Sequence, residues 1–508
     1  VAAGGLVFTG LFLLLNLDPD SARADGLDFF VTPAGSGDCS QASPCALQTA
    51  LGLAGDGDAV HLGQGTYSGS GAAVMPIAHS IDVYGGWDGA TSGAVVHDPE
   101  TYPVTVDAEG ARRGVSVGSG IAVTLEGITV TNGVHTLGGA GVYAQDANLT
   151  LSQVTIYSNS IDISSIPGSY AYGAGAMAEG GTLLVEDSTF RLNGVWAGSQ
   201  SFGGGLAISH TMAATVTGSL FEDNDAWTGG GLYCEGSSGS RLPLTVRNST
   251  FQGNGYGRSP GDAYSGYASA IKLIFAAATV EGNTIRDNRA TNDSGALYAS
   301  SSDLVLSRNQ VYSNTSGRIS ALYLAASTVT ATNNIVVDNQ TSYYWELDTP
   351  AIRLASSSAR FLHNTIARND SDYGIRLDTT STAWLTNTIL VSHSVGISVT
   401  AGSSASLEGT LWGSGAWANI TDTAGAGTIS TGSINIHNDP GFVDPANGDF
   451  HITKLSAALD AGVDAGVAND VDGDPRPVDG NDDGDAKPDI GADEVAHHVY
   501  LPLVLRSY

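Results

Sequence analysis

A four-residue pattern returns ten times along this chain: a small residue, an aliphatic one, a variable position, then another apolar residue. It reads Gly141-Val142-Tyr143-Ala144, Gly175-Ala176-Met177-Ala178, Gly205-Leu206-Ala207-Ile208 and Gly231-Leu232-Tyr233-Cys234. It continues at Ala270-Ile271-Lys272-Leu273, Ala296-Leu297-Tyr298-Ala299, Ala321-Leu322-Tyr323-Leu324 and Ala351-Ile352-Arg353-Leu354, and ends at Gly374-Ile375-Arg376-Leu377 and Gly396-Ile397-Ser398-Val399. The intervals run from 22 to 39 residues. One such unit cannot bury its apolar face alone, so the copies must stack. Stacking sets the variable positions in one row, and strand alternation turns that row outward.

A second repeat follows the first. It runs Val185 to Asn193, Val246 to Asn254, Val280 to Asn288 and Leu306 to Asn314, with Asn339 and Asn369 closing two more copies. Asn tolerates left-handed backbone angles and suits a bend between strands. Stacked Asn side chains also bond one another up a ladder. Abundant Gly, β-branched residues and a period of two exclude helical repeats. The expected coil holds two or three short strands. Parallel pairing at roughly 4.8 Å per coil gives a rod of about 50 Å for ten coils.

With both repeats in view, residues 111–435 resemble the right-handed parallel β-helix family, which includes pectate lyases and exported bacterial proteins. The resemblance implies an all-β, right-handed parallel β-helix solenoid of about ten or more coils with an N-terminal cap. It is specific for fold, because one fold hosts many functions.

The flanks divide the rest. Residues 1–24 read as most of a secretory signal peptide, shortened at its start, with an apolar core at Leu6–Leu15 and a small-x-small site at Ala22-Arg23-Ala24. Residues 25–110 hold the cap and first coils, with Ala46–Ala54 expected as a short covering helix. Cys39 and Cys45 share one loop and are expected to pair in an exported protein, while Cys234 falls on an inward strand position. His61, His79 and His363 read as scaffold. Residues 436–495 carry Pro440-Gly441-Phe442-Val443-Asp444-Pro445, Gly448-Asp449-Phe450-His451-Ile452 and Asp489-Ile490-Gly491-Ala492-Asp493-Glu494. That ending resembles the choice-of-anchor Q module of exported proteins. Residues 496–508 form a short apolar tail, either a sorting tag or a last edge strand.

Two constellations carry chemistry. Asp479, Asn481, Asp483, Asp485 and Asp489 place oxygens around Gly484 in a pattern suited to Ca²⁺, although Ile490 stands where an EF-hand loop has its bidentate Glu. The alternative is a solvated acidic turn. The outward row runs Tyr143, Met177, Ala207, Tyr233, Lys272, Tyr298, Tyr323, Arg353, Arg376 and Ser398. Tyrosines followed by cations suit a sugar chain: rings lie against sugar faces, and Arg grips carboxylate or sulfate. Tyr233, Lys272, Tyr298 and Tyr323, with Glu235 on the same face, are the expected contacts. The lyase resemblance casts Arg353 or Arg376 as base and Asp372 and Asp378 as acidic partners. No lyase or polygalacturonase motif surrounds them, and no carboxylate pair is singled out for hydrolysis.

The net charge is −31, which opposes nucleic acid and anionic lipid. These features predict a secreted or cell-surface monomer, with no membrane span in the mature chain, that recognises extracellular or cell-wall polysaccharide along its Tyr/Lys/Arg face. The rival readings are a polysaccharide lyase or glycoside hydrolase, and a structural or adhesive rod.

Overall fold

The computed structural model describes residues 26–163, 169–196, 200–255, 270–292, 294–342 and 348–495. The expected signal peptide and the apolar tail at 496–508 lie outside the described residues. Among the described residues, no helix is long and apolar enough to cross a membrane.

Period-two alternation becomes a parallel β-helix whose two long sheets hold 27 and 13 strands among the described residues. One coil runs Val142–Gln145, bend, Asn148–Ser152, bend, Thr155–Tyr157. The first of these strands joins the smaller sheet and the other two join the larger one. The four-residue repeat is the strand of the smaller sheet, from Val142–Gln145 to Val395–Val399. Its aliphatic positions fill the interior: Val142, Leu206, Leu232, Ile271, Leu297, Ile352, Ile375 and Ile397 are buried. Like side chains stack on like, as Phe190, Phe221 and Phe251 do, with ring centroids 4.7 and 4.6 Å apart.

The bends correct one sequence reading. The ladder asparagines do not themselves take the left-handed conformation. The residue before each one does: Ser158, Leu192, Asp223, Gly253, Asp287, Ser313, Asp338 and Arg368 all have positive φ. That kink turns the following Asn inward. Asn159, Asn193, Asn224, Asn254, Asn288, Asn314, Asn339 and Asn369 then form a buried column, each side-chain NH₂ donating to the next side-chain oxygen at 2.9–3.0 Å. Each Asn oxygen also accepts a backbone N–H from the previous coil, as Asn288 Oδ1 does from Asn254. A second column, Asn283, Asn309, Asn334 and Asn364, lines the neighbouring bend. At a third bend the hydroxyls of Ser327, Ser357, Ser381 and Ser403 accept backbone N–H groups in the same way. These bonds satisfy polar backbone that the bends would otherwise bury unpaired.

The N-terminal end is covered as expected. Helix Leu47–Leu53 buries Leu47 and Ala50 in the main core. Cys39 and Cys45 are bonded in the preceding loop, and Cys234 is fully buried. His61 is less isolated than its sequence suggests. It is buried with Nδ1 2.9 Å from His97 Nε2 and Nε2 3.0 Å from Asp28 Oδ1.

The C-terminal segment folds back against the outside of the last coils. One outward row of the larger sheet reads Tyr157, Arg191, Glu222, Gln252, Arg286, Tyr312, then Val337, Ala367 and Val391. It turns apolar where Phe442, Phe450, Ile452, Ala458, Ile490 and Ala492 pack on it. Asn387 locks the contact, accepting from Val463 N–H at 2.9 Å and donating to the Val463 carbonyl at 2.6 Å. A buried ion pair, Arg476 Nε to Glu494 Oε2 at 2.9 Å, lies beneath, and Arg476 also donates to Asn333 Oδ1.

Asn288→Ala removes one rung and strands the groups it served on three coils. A local loss of about 2–4 kcal/mol is expected from the unsatisfied buried groups. Hydrogen exchange should show it as faster opening of the amides at 251–254 and 312–314. Thr284→Ala, on the outer face, should stay within about 0.5 kcal/mol of the parent.

Candidate functional site

The register sets the variable positions of the repeat in one unbroken row. Tyr143 pairs with Met177, and the row continues through Ala207, Tyr233, Lys272, Tyr298, Tyr323, Arg353, Arg376 and Ser398. Exposure divides it into two halves.

The upstream half is covered. Met177 and Ala207 are buried, and Tyr233 is 2% exposed. Tyr233 packs on Tyr172 and Phe202, with ring centroids 6.1 and 4.9 Å away. These rings come from the short paired strands Ala171–Tyr172 and Ser201–Phe202, which lie outside the repeat. The Tyr233 hydroxyl donates to Glu235 Oε2 at 2.8 Å. Burial first, then the Glu235 carboxylate, raise this phenol far above its ordinary value. Tyr233 and Glu235, expected as sugar contacts, are therefore spent on each other under an aromatic roof. The sequence reading missed the roof because its residues belong to inserted loops that carry no repeat signal.

The downstream half is half-buried rather than covered, with Lys272, Tyr298, Tyr323, Arg353 and Arg376 all reaching the surface. Lys272 Nζ sits 4.4 Å from the Tyr298 ring centroid, and Tyr298 meets Tyr323 edge-on at 5.0 Å. The Arg353 guanidinium lies 5.4 Å from Tyr323, and that of Arg376 lies 5.2 Å from Tyr373. Cation and ring attract through the ring's negative face, which holds these long side chains flat against the sheet.

Beneath the arginines lies Asp378, 6% exposed. Its carboxylate takes Arg353 Nε at 2.9 Å and Arg376 Nε at 3.0 Å. Arg376 Nη1 reaches Asp348 Oδ1 at 2.8 Å, and Tyr373 donates its hydroxyl to the same oxygen at 2.7 Å. Asp348 drops below the usual carboxylate range, chiefly through the Tyr373 hydrogen bond. The Arg376 guanidinium is shifted upward, because the hydrogen bonds and charges of Asp378 and Asp348 outweigh its partial burial. A guanidinium held this way is a poor base, which counts against the proton-abstracting role expected for Arg376.

Asp372 does not join this network. Its Oδ2 accepts the backbone N–H groups of Asp348 and Thr349 and the Thr349 hydroxyl, so it builds the turn that presents Asp348. Asp348 itself was not singled out in the sequence. It precedes the repeat strand in a connection of irregular length, and only the turn held by Asp372 brings it beside Arg376.

The acidic C-terminal loop is tied to its own backbone. Asp479 accepts the N–H groups of Asp483 and Gly484, and Asn481 accepts that of Asp483. Asp483 accepts from Asp485 N–H, and Asp485 pairs with Lys487 at 2.6 Å. Asp489 is buried away from them and accepts from Asp460 and Val495 N–H. The loop is a chain of side-chain-to-backbone turns from Asp479 to Asp485, with Asp489 set apart from it. His363 is buried between the Asp489 carbonyl and Asn387, a scaffold position as read from sequence. Burial, followed by the charge of Arg476, lowers it to about 3.

The family model described as a right handed beta helix region matches residues 106–274 and 262–411, more than half of the chain. The chain belongs to this family. The handedness read from resemblance is thereby established, together with the all-β solenoid class. None of the curated proteins compared matches the chain. Among solved structures, the periplasmic alginate epimerase AlgG aligns at 13% identity over 64% of this chain and 78% of its own, with a TM-score of 0.41. Pectate lyase Pel9A aligns at 13% identity over 94% and 98%, with a TM-score of 0.27. Tailspike protein 3 of bacteriophage CBA120 aligns at 11% identity over 80% of this chain and 62% of its own, with a TM-score of 0.41. At these levels the likeness concerns the fold alone.

Asp489 is the buried carboxyl of the C-terminal region whose titration bears on its stability. Burial, then the neighbouring Glu494 charge, raises Asp489 to about 7, and burial also raises Glu494. Folded carboxyls raised in this way bind protons more tightly than unfolded ones. The Asp489 contribution is complete below the unfolded value and is lost as pH rises through about 7. In chelator-treated protein, the Asp489 and Val495 amides, corrected for intrinsic rates, should exchange on the order of tenfold faster at pH 8 than at pH 5.

Proposed function

We propose that this protein is an exported or cell-surface carbohydrate-recognition rod whose sugar-binding face is the downstream half of the repeat row. The observation that carries the reading is the continuity of Lys272, Tyr298, Tyr323, Arg353 and Arg376 on five adjacent strands. Four strand spacings of ~4.8 Å make this face about 19 Å long, the reach of several linked sugar rings. Tyrosines supply apolar faces with a polar edge. The two arginines and the exposed carboxylate of Asp348 supply planar donors and an acceptor for sugar hydroxyls, while Asp378 holds the arginines from beneath.

The charge balance refines the substrate. Lys272, Arg353 and Arg376 share the face with Asp378 and Asp348, three cations against two anions, so the positive excess along the row is small. A hydroxyl-rich neutral or weakly acidic polysaccharide fits this surface better than a densely charged one, in keeping with the net charge of −31. The lyase reading asks Arg376 to give up a proton that two carboxylates help to hold, so recognition without bond cleavage is favoured. The C-terminal segment, with its anchor-like motifs, is assigned the task of holding the rod at the cell surface.

The test is a panel of neutral and acidic polysaccharides, read by affinity electrophoresis and by assays for new reducing or unsaturated ends. Tyr298→Ala and Tyr323→Ala should each weaken binding about fivefold or more, corresponding to roughly 1 kcal/mol per aromatic contact. Tyr157→Ala, on the other sheet, should leave binding unchanged. New chain ends that disappear in Arg376→Ala would replace this reading with an enzymatic one.

A further inference from the structure

Three separate stretches of the C-terminal region meet at one point that the expected calcium loop does not include. Strand Asp449–Ile452 brings His451, the turn after Asp470 brings Asp472, and the segment that packs on the last coils brings Asp493. One ligand atom from each lies within 4.8 Å of the others.

The geometry around His451 is directional. Nδ1 lies 2.6 Å from Asp449 Oδ1, which makes that nitrogen the donor and turns Nε2 toward the other two carboxylates. Nε2 is sealed from solvent and lies 2.9 Å from Asp472 Oδ2, close enough for an ion pair. Yet the contact lacks the direction of a hydrogen bond, and Nε2 has no hydrogen-bond partner. Distance without direction is what results when ligand atoms converge on a shared point rather than on one another. Asp493 is more than nine-tenths buried, and its Oδ2 accepts the Ile452 N–H at 2.7 Å. The Asp470 carboxylate fixes the turn by accepting the N–H groups of Asp472, Gly473 and Asp474. It also takes the Glu494 N–H, which ties the turn to the residue after Asp493. Asp493 and the turn that carries Asp472 are thus held by backbone hydrogen bonds, and the His451 ring is held by Asp449.

We propose that His451, Asp472 and Asp493 form a divalent-cation site, with Asp449 as the outer acceptor that orients the imidazole. One nitrogen and two carboxylate oxygens suit Zn²⁺ or a similar transition-metal ion, whereas Ca²⁺ prefers oxygen ligands throughout. The carboxylate-to-imidazole contact at Nδ1 is the arrangement that commonly supports a metal-bound histidine. Asp472 is exposed, so water can complete the coordination from that side. Such a site staples the antiparallel strand pair, the Asp470 turn and the segment through Asp493 together.

The test uses the whole purified chain, stripped with chelator and titrated with Zn²⁺ by calorimetry, and with Co²⁺ by visible absorption. The expected result is one equivalent bound, a cobalt spectrum with nitrogen–oxygen character, and no displacement by a tenfold excess of Ca²⁺. His451→Gln should weaken Zn²⁺ by at least about 100-fold, and Asp449→Asn by about 10- to 100-fold. His437→Gln, whose imidazole pairs with Asp422 in a different place, should bind as the parent does. Circular dichroism checks that each variant is folded. Failure of the stripped parent to take up either metal stoichiometrically would overturn the site, whatever the variants do. Equal affinity in folded His451→Gln would overturn it too, leaving a charged imidazole clasped by carboxylates as the description of this cluster.

Discussion

The inward amide at each bend is the interaction on which the rest of this molecule depends. A parallel coil must turn sharply between strands, and each turn threatens to bury backbone groups with nothing to bond. The chain meets this by placing one residue in the left-handed region and the next inward as Asn or Ser. Asn is the better rung because it donates and accepts at once. Asn254 gives its NH₂ to Asn288 and to the Phe221 carbonyl, while its oxygen serves Asn224. The column fixes the register of successive coils, since a slip by one residue would set apolar side chains against solvent and amides against the core. Registry at the bends aligns the phenylalanine stack and the outward row.

That outward row shows how one sheet face is partitioned by what lies over it. The same strand position is roofed at Tyr233 and open at Tyr323, because inserted loops bring Tyr172 and Phe202 over the first and not the second. Where it is open, cation–ring contacts and the shared Asp378 carboxylate flatten the arginines onto the sheet. Opposite charges nearly cancel there. The surface is polar and aromatic rather than cationic, which reconciles the row with an acidic chain.

At the other sheet, the last coils trade solvent for the C-terminal segment. The change from Arg286 and Tyr312 to Val337, Ala367 and Val391 along one row is the imprint of that docking. It could be read in the sequence once the strands are aligned, but unaligned it is only three apolar residues among many. The buried Arg476–Glu494 pair lies under the docked segment. Breaking it would leave an uncompensated charge in the interior, so it holds the segment to one arrangement.

The sequence by itself determined the coil, its parallel stacking and the membership of the outward row, because period-two alternation and a recurring strand are local and additive. It also sufficed for the short covering helix, the Cys39–Cys45 bond and the scaffold role of His363. Tertiary structure alone decided which members of the row reach the surface and that Asp348, not Asp372, completes the arginine network. It also sent Asp489 inward, away from its acidic neighbours. Each of these depends on where irregular loops and the folded-back C-terminus come to rest. Their positions follow from packing between residues far apart in the chain, which no spacing within a repeat encodes. The meeting of His451, Asp472 and Asp493 belongs to the same class: three residues with no shared motif, joined only because the segment wraps around its own docking contact.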